Sequence, residues 1–557
     1  MYLRDNNEPP LHFDLLPRPA EHVAFITDVE GNWEYLIAFV EQCEGLELLG
    51  VLDDGSADLA LADGWQLVFG GDSVDKGGET GGSVRVVKTL VRTKRKYGGR
   101  VTLLLGNRDC NKMRFTSELC AAELAGSRLH AVPGPYWVPE AKRVAPVHYL
   151  RNMVAKTQGK PEETVTEAEL QEANAQPLHR LRWMLIETMG AAGEEEQRRQ
   201  ELAHIAGGRM VDDAEVFASF VDSVEPGGWM RELLELGELA KIIDGTLFVH
   251  GGVMAPAGSP FRGGAEDVVG LVPGRADRIS DVSEWVRELN SWKQAQVEAW
   301  KARPTWDPAQ GDQMYDAGAR GGHALMDYAV SFKGSEPSVI QCRHLKNSGM
   351  PAPMPEELCT RLHMGGIYRM VVGHTPHGSC PTVIRNGTAE RPVLVVMADT
   401  SYSDMSRPDN RGDAVSTVVI LNDGSVTVDG ALQDGTKIGY TLKPDASACQ
   451  HELIGQCEPD GTEEQKFVKA RLVPSGDYLL AHHAGFKINY FSLPEPAARD
   501  LLKIPPAPPP PLRLMSSGLT SMGDEVACGC SDEFESALHA SCFSCRAYSQ
   551  RGAGRTR

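Results

Sequence analysis

The sequence predicts an α/β fold in which a β-sheet core is covered by helices, with a helical insertion and a small C-terminal β-rich module. Three observations carry this. Short apolar runs rich in Val, Leu, Ile and Phe recur along the chain, each ending in a polar turn. Amphipathic helical stretches separate the first of these runs, and the rhythm breaks toward helix in mid-chain and toward short strands after about residue 440. A chain of 557 residues, 41% hydrophobic and 24% charged, can bury a large core across more than one domain.

"EHVAFITD" (21–28) reads as a buried strand, and "NWEYLIAFVEQC" after it has helical spacing. "GWQLVFGGD" (64–72) is a second strand, "GGSVRVVKTLVRTKRKYGG" (81–99) a helix closed by glycines, and "RVTLLLGNRD" (100–109) a third strand. Each gap is long enough for a crossover, which predicts a largely parallel sheet covered by helices. From about 150 to 243 the pattern is helical: Thr166 and Glu169 stand in capping-box spacing, and "WMRELLELGELAKII" continues as helix. "GTLFVHGGV" (245–253) returns to strand, 281–302 is helical, and "YRMVVGHTPHG" (368–378) is strand again. "RPVLVVMADTSYSD" and "AVSTVVILNDGSVTV" add two more, the latter in a hairpin around Asn422, Asp423 and Gly424.

The expected organisation is a main domain over 15–440 with the helical insertion at 150–243, a β-rich module over 441–500, and a Pro-rich linker and disordered tail over 501–557. The tail carries Cys528, Cys530, Cys542 and Cys545. They admit a zinc site, but the tight Cys-x-Cys favours an unstructured tail. Acidic residues outnumber basic ones, 76 to 56, for a net charge of −20, which argues against a nucleic-acid binder. Neither a secretory signal nor an apolar run long enough for a membrane span is evident, and the scattered cysteines suit a reducing compartment; a cytoplasmic location is expected.

The strand ends share a chemical character. Asp28 and Glu30 end the first, Asp72 and Asp75 the second, Asn107, Arg108 and Asp109 the third, and His250 and His374 follow two later strands. Ligands gather at the carboxyl ends of strands in open α/β folds. Asp, Glu, Asn and His form the donor set of a divalent-metal site, and an Asp able to bridge two ions suggests a binuclear one. Taken singly, each has a plainer reading: Asp28 as a helix cap, Asp72 and Asn107 as turn residues, His250 as a core histidine.

The ordered series Asp-x-Glu-Gly-Asn, Gly-Asp-x-x-Asp-Lys-Gly, Gly-Asn-Arg-Asp, His-Gly-Gly and Gly-His resembles the calcineurin-like metallophosphoesterase superfamily. It looks most like the phosphoprotein phosphatase, Shewanella-like and diadenosine-tetraphosphatase-like branches, over roughly residues 20–430. The resemblance implies two divalent metal ions. One is held by Asp28, Glu30 and Asp72; the other by Asp72, Asn107, His250 and His374. A hydroxide between the ions then attacks phosphorus in line. Mn²⁺ is the expected ion, with iron, Mg²⁺ or Zn²⁺ as alternatives. The implied partner is a phosphorylated substrate, protein or small molecule, with no nucleic acid and no membrane.

Three positions depart from the family pattern. Glu30 stands where the family has His, adding charge and hard-oxygen character to the first ion's ligands. Arg108 replaces the His proposed to protonate the leaving oxygen; it stays protonated, so its role is to stabilise charge, oriented by Asp75. Lys76 replaces a phosphate-clamping Arg, and Lys112 and Arg114 are candidate further substrate contacts. His377 is a candidate substitute acid, and Asp399 either supports the site or caps a turn. The leading expectation is a phosphate-monoester hydrolase similar to protein serine/threonine phosphatases. The alternatives are a small-molecule phosphatase or dinucleoside polyphosphate hydrolase, and a pseudophosphatase that binds a partner.

Overall fold

Alternation along the strands sets the architecture. In β1 (His22–Ile26), Val23 and Phe25 join one apolar cluster while Ala24 and Ile26 join another. A strand turns successive side chains to opposite faces, so this strand is buried on both. The computed structural model describes residues 20–505 apart from 79, 256–263, 307–318, 331–334, 402–409, 445–451, 460–464 and 485–486. The chain divides into a unit over 1–507 and a second over 508–557. The second, with the expected tail and its four cysteines, lies outside the described residues.

β1 is followed by α1 (Trp33–Gln42), a hairpin of β2 (Leu46–Val51) and β3 (Ala57–Leu61), then β4 (Trp65–Phe69), α2 (Ser83–Tyr97) and β5 (Val101–Leu103). β1, β4 and β5 pair in parallel. The short α3 (Asn107–Cys110) opens a helical region that runs to Leu236. In it, Thr166 and Glu169 form the expected capping box, with Thr166 N donating to Glu169 Oε2 at 2.9 Å.

The helix expected through 243 stops at Leu236, before Gly237. β6 (Ala240–Ile243) instead pairs antiparallel with β7 (Thr246–Val249) across Asp244 and Gly245, whose φ values are 44° and 71°. Two left-handed residues in a row make a tight hairpin turn that no helix can continue through.

The later strands are β8 (Arg369–Val372), β9 (Thr382–Gly387), β10 (Pro392–Met397), β11 (Val415–Leu421), β12 (Val426–Ala431) and β13 (Lys437–Leu442). They form two mixed sheets in place of one largely parallel one, in the orders β13-β12-β11-β1-β4-β5 and β6-β7-β8-β10-β9. The cause is local. Short hairpins, including the one at Asn422 to Gly424, make β11, β12 and β13 antiparallel, and β11 docks antiparallel on β1. The inner faces meet in a core that includes Phe25, Val68, Phe248, Val371, Val396 and Val418, with Phe25 and Phe248 stacked at 5.8 Å between centroids. The outer residues of the same strands, such as Ile26, Phe69 and Met370, belong to the helix-covered cluster.

Three antiparallel strands, β14 (Lys466–Arg471), β15 (Tyr478–Ala484) and β16 (Lys487–Leu493), precede a helix at Glu495–Leu502. Val468 and Leu480 extend the inter-sheet core into them. Among the described residues, no helix is long and apolar enough to cross a membrane.

Candidate metal centre

β1, β4, β5, β7 and β8 end at one rim of the sandwich, and each leads into a candidate ligand. Asp28, Glu30, Asp72 and His374 adopt φ of 50°, 47°, 55° and 67°. Side chains with a Cβ avoid this left-handed region, at a cost of about 1–3 kcal/mol each, and hold it only where their surroundings enforce it. Here Asp28 N donates to Gly71 O, Glu30 N to Asp72 O and Gly373 N to His250 O, lacing the turns together. A Cβ at Gly106 would collide with the Asp72 carboxylate, and one at Gly373 with that of Asp28. Both turns therefore approach closely only as glycine. Asn32, not Asp28, caps α1, accepting from Tyr35 N at 2.9 Å, so Asp28 is left to other partners.

The carboxylates and imidazoles form two groups that share Asp72. Asp28, Glu30 and Asp72 make one; Asp72, His250 and His374 make the other; within each, the donor atoms lie within 4.8 Å of one another. The remaining atoms of these side chains are anchored. Asp28 Oδ2 accepts from Thr27 Oγ1 at 2.5 Å and His374 N at 2.9 Å. Asp72 Oδ1 accepts from Arg108 N at 2.8 Å. His250 Nδ1 is 2.8 Å from Gly70 O, which makes Nδ1 a donor and turns Nε2 toward Asp72 Oδ1, 3.5 Å away.

The atoms left over are Asp28 Oδ1, Glu30 Oε2, Asn107 Oδ1, His250 Nε2 and His374 Nε2, all buried and none hydrogen-bonded. Leaving a buried polar atom without a partner costs about 1–3 kcal/mol. Five of them converging on one rim is a donor set that fits two divalent cations, and it supplies the O and N atoms such ions take.

The charges agree. Burial, aided by Asp72, pushes the Asp28 carboxyl up to about 6. Burial and the neighbouring Asp28 push Asp399 well above the usual range. Burial also works on Asp72, but His250, Arg108 and His374 outweigh it and hold that carboxyl well down. Burial opposes protonation of His250, yet Asp72 and Asp28 lift it to about 10, whereas burial beside His250 drives His374 well below the ordinary histidine value. The cluster is short of positive charge.

Side-chain cations surround it. Arg108 Nε lies 3.1 Å from Glu30 Oε1 and 3.7 Å from Asp72 Oδ2, and its Nη1 lies 3.4 Å from Asp75 Oδ2. Lys76 Nζ is 3.4 Å from Glu30 Oε2. Lys112 and Arg114, read from the sequence as substrate contacts, are 3% and 4% exposed. Lys112 Nζ is 2.6 Å and 2.7 Å from the two Asp75 oxygens. Arg114 makes a bidentate pair with Glu118 at 2.8 Å and 2.7 Å. His377 is buried in contact with His483 at 2.8 Å and with Gly349 O at 2.9 Å.

Two residues escaped the sequence reading, and a third was read there only as a turn residue. Arg411 Nη2 lies 3.3 Å from Glu30 Oε1 and 3.7 Å from Asp399 Oδ1; it arrives because Asn32 Nδ2 binds the Arg411 carbonyl at 2.8 Å, a pairing across 379 positions with no local signal. Arg343 is exposed, and its charge acts on His374. Asp109 was noted only as part of a turn. Its buried carboxylate accepts from Asp72 N (2.9 Å), Ser73 N (2.9 Å), Ser73 Oγ (2.5 Å) and Gly106 N (2.8 Å), fastening the β4 and β5 turns together.

The motifs that resemble those of the calcineurin-like metallophosphoesterases lie at one rim of a mixed α/β fold. No family profile and no curated protein matches the chain. Among solved structures, a cold-active protein-tyrosine phosphatase of a psychrophilic Shewanella species aligns at 15% identity and TM-score 0.32, covering 76% of this chain and 80% of its own. A protein serine/threonine phosphatase from Saccharomyces cerevisiae aligns at 10% identity and TM-score 0.28, with the same coverage of 76% and 80%.

Proposed function

We propose that this protein is a two-metal phosphoesterase that hydrolyses phosphate monoesters. The observation that carries the reading is the pair of ligand groups sharing Asp72, with five buried donor atoms that have no hydrogen-bond partner among the described residues. Asp28, Glu30 and Asp72 would hold one ion, and Asp72, Asn107, His250 and His374 the other. Bound there, divalent ions supply Lewis-acid polarisation of the phosphoryl oxygens and of the attacking water.

The chain's own residues do the rest. Gly70 O fixes the His250 ring, and Asp109 fixes the spacing of the Asp72 and Asn107 turns. Arg108, its side chain 13% exposed, offers a guanidinium to phosphoryl oxygens while Asp75 and Glu30 orient it. Lys76 and Arg343 add positive charge at the rim. Burial of Arg108 would favour its neutral form, but Glu30, Asp75 and Asp72 raise its pKa further, so it gives up no proton to a leaving group.

That feature supports a second, narrower reading. His377, the alternative acid, is engaged with His483, and burial holds its pKa well below the ordinary value. Arg108 keeps its proton, so substrates whose leaving group needs none should react best: aryl phosphates and phosphoanhydrides over alkyl phosphoserine. The test is to purify the full chain, measure bound metal, and assay p-nitrophenyl phosphate, diadenosine tetraphosphate and a phosphoserine peptide, with Asp72→Asn as control. Metal-dependent turnover of the first two, with the peptide about tenfold slower or worse, is expected. A protein that binds no metal and turns over none of the three would overturn the proposal; equal turnover of the peptide would overturn only the narrower reading.

A further inference from the structure

At the opposite end of the sheets lies an open cavity of about 770 Å³. Asp244 and Tyr368 precede the strands whose far ends carry His250 and His374, and the turn at Asn422 to Gly424 closes the hairpin beside β1. None of the candidate ligands lines it. The volume is that of a small-molecule site, and the chemistry of the walls is graded from inside to outside.

The inner wall is cationic. Arg385 Nε is anchored on Ile454 O at 2.7 Å, while its Nη2 is buried without a hydrogen-bond partner. Arg369, only 7% exposed, is anchored on Thr246 Oγ1 at 2.9 Å and on the Asp244 carbonyl at 2.5 Å. Both guanidiniums are thus held rigidly by neutral oxygens, and the nearby carboxylates of Asp244, Glu390 and Asp423 are all exposed at the mouth. The turn packs close on one side of Arg369, since a Cβ at Gly424 would come within 2.7 Å of its Nη1. The floor is apolar, from Leu394 and Leu442. Tyr368 is 45% exposed and stands edge-to-face with His363 at 5.0 Å, an aromatic surface open to solvent.

We propose that this cavity is a second ligand site, for a phosphorylated aromatic small molecule of nucleoside-monophosphate size. The phosphate would sit between Arg369 and Arg385, satisfying the orphaned Nη2 in a charge-assisted bond. The ring would lie on Tyr368 over the apolar floor, and the rim carboxylates of Asp244 and Asp423 would accept from sugar hydroxyls. Bulk sequence properties gave no hint of it, because its residues come from turns and strands far apart in the chain.

The test uses the full chain stripped of metal with EDTA, so that the rim at the other end is silent, and titrates it calorimetrically with adenosine 5′-monophosphate, adenosine and inorganic phosphate. The nucleotide should bind about tenfold or more tightly than either half, because each half forgoes one wall. Arg385→Gln and Tyr368→Ala should each weaken it about tenfold or more, with Tyr368→Ala, at an exposed position, guarding against loss of fold. Asp72→Asn should leave the affinity unchanged. The proposal is overturned if the nucleotide does not bind, if either half binds as well as the whole, if both wall variants bind normally, or if Asp72→Asn abolishes binding.

Discussion

Arg108 Nε lies 3.1 Å from Glu30 Oε1. These are two of the positions at which the chain departs from the metallophosphoesterase pattern it resembles, each standing where that pattern has His, and they touch. The negative charge that Glu30 adds to the first ligand group is met by the positive charge of Arg108, so the two changes compensate.

A double-mutant cycle tests that coupling. Glu30→His and Arg108→His should each destabilise the protein, because each removes one partner from a buried cluster of paired charges. The double variant should recover part of the loss, with a coupling of about 1–3 kcal/mol in urea denaturation. Additive single effects would show that the two substitutions are independent.

Metal should stabilise the fold through Asp72. Ligand present at about 100 times its dissociation constant adds about 2.7 kcal/mol to stability. Mn²⁺ titrated into EDTA-treated protein should therefore raise the melting temperature. In Asp72→Asn, where both ligand groups lose their shared member, that rise should vanish. An unchanged Mn²⁺ response in the variant would remove Asp72 from the site.

Asp109→Ala should cost at least about 3 kcal/mol, since three backbone N–H groups and a hydroxyl lose their acceptor in a dry setting. Metal affinity should fall with it, because the spacing between the β4 and β5 turns is no longer enforced. A loss under about 1 kcal/mol in denaturant unfolding would contradict this.

Acid sensitivity should trace to Glu118. Burial raises its pKa, but Arg114 and Arg320 outweigh it and hold the carboxyl down to about 2, from an ordinary value of 4.5. A carboxylate depressed in the folded state binds its proton more readily when unfolded. Its contribution is therefore full above about pH 4.5 and is lost as pH falls toward about 2. At about 1.4 kcal/mol per pKa unit, the contribution is about 3 kcal/mol. Glu118→Gln should be less stable than the parent at pH 7, with the gap shrinking between pH values of about 5 and 2 in urea titrations. A gap independent of pH would locate the effect in packing instead.

Local sequence determined much of this protein. Apolar runs of the right length specify β1, β4, β7 and β8, and the polar turns after them carry Asp28, Glu30, Asp72, His250 and His374, because a strand's exit and the turn after it are neighbours in the chain. Thr166 and Glu169 announce their helix start for the same reason: a capping box closes within four residues. Tertiary structure decided what depends on partners far away in the chain. It ended the helix at Leu236 by pairing Ala240–Ile243 with β7, and folded the strands into two mixed sheets. It also brought Arg411 to Glu30 across 379 positions from its anchor at Asn32, and drew Lys112 into a buried pair with Asp75. The ligand types could be read locally because chemistry dictates them. The charges that balance them could not, since any cation at the right place in space will serve, and only the folded chain determines which one arrives.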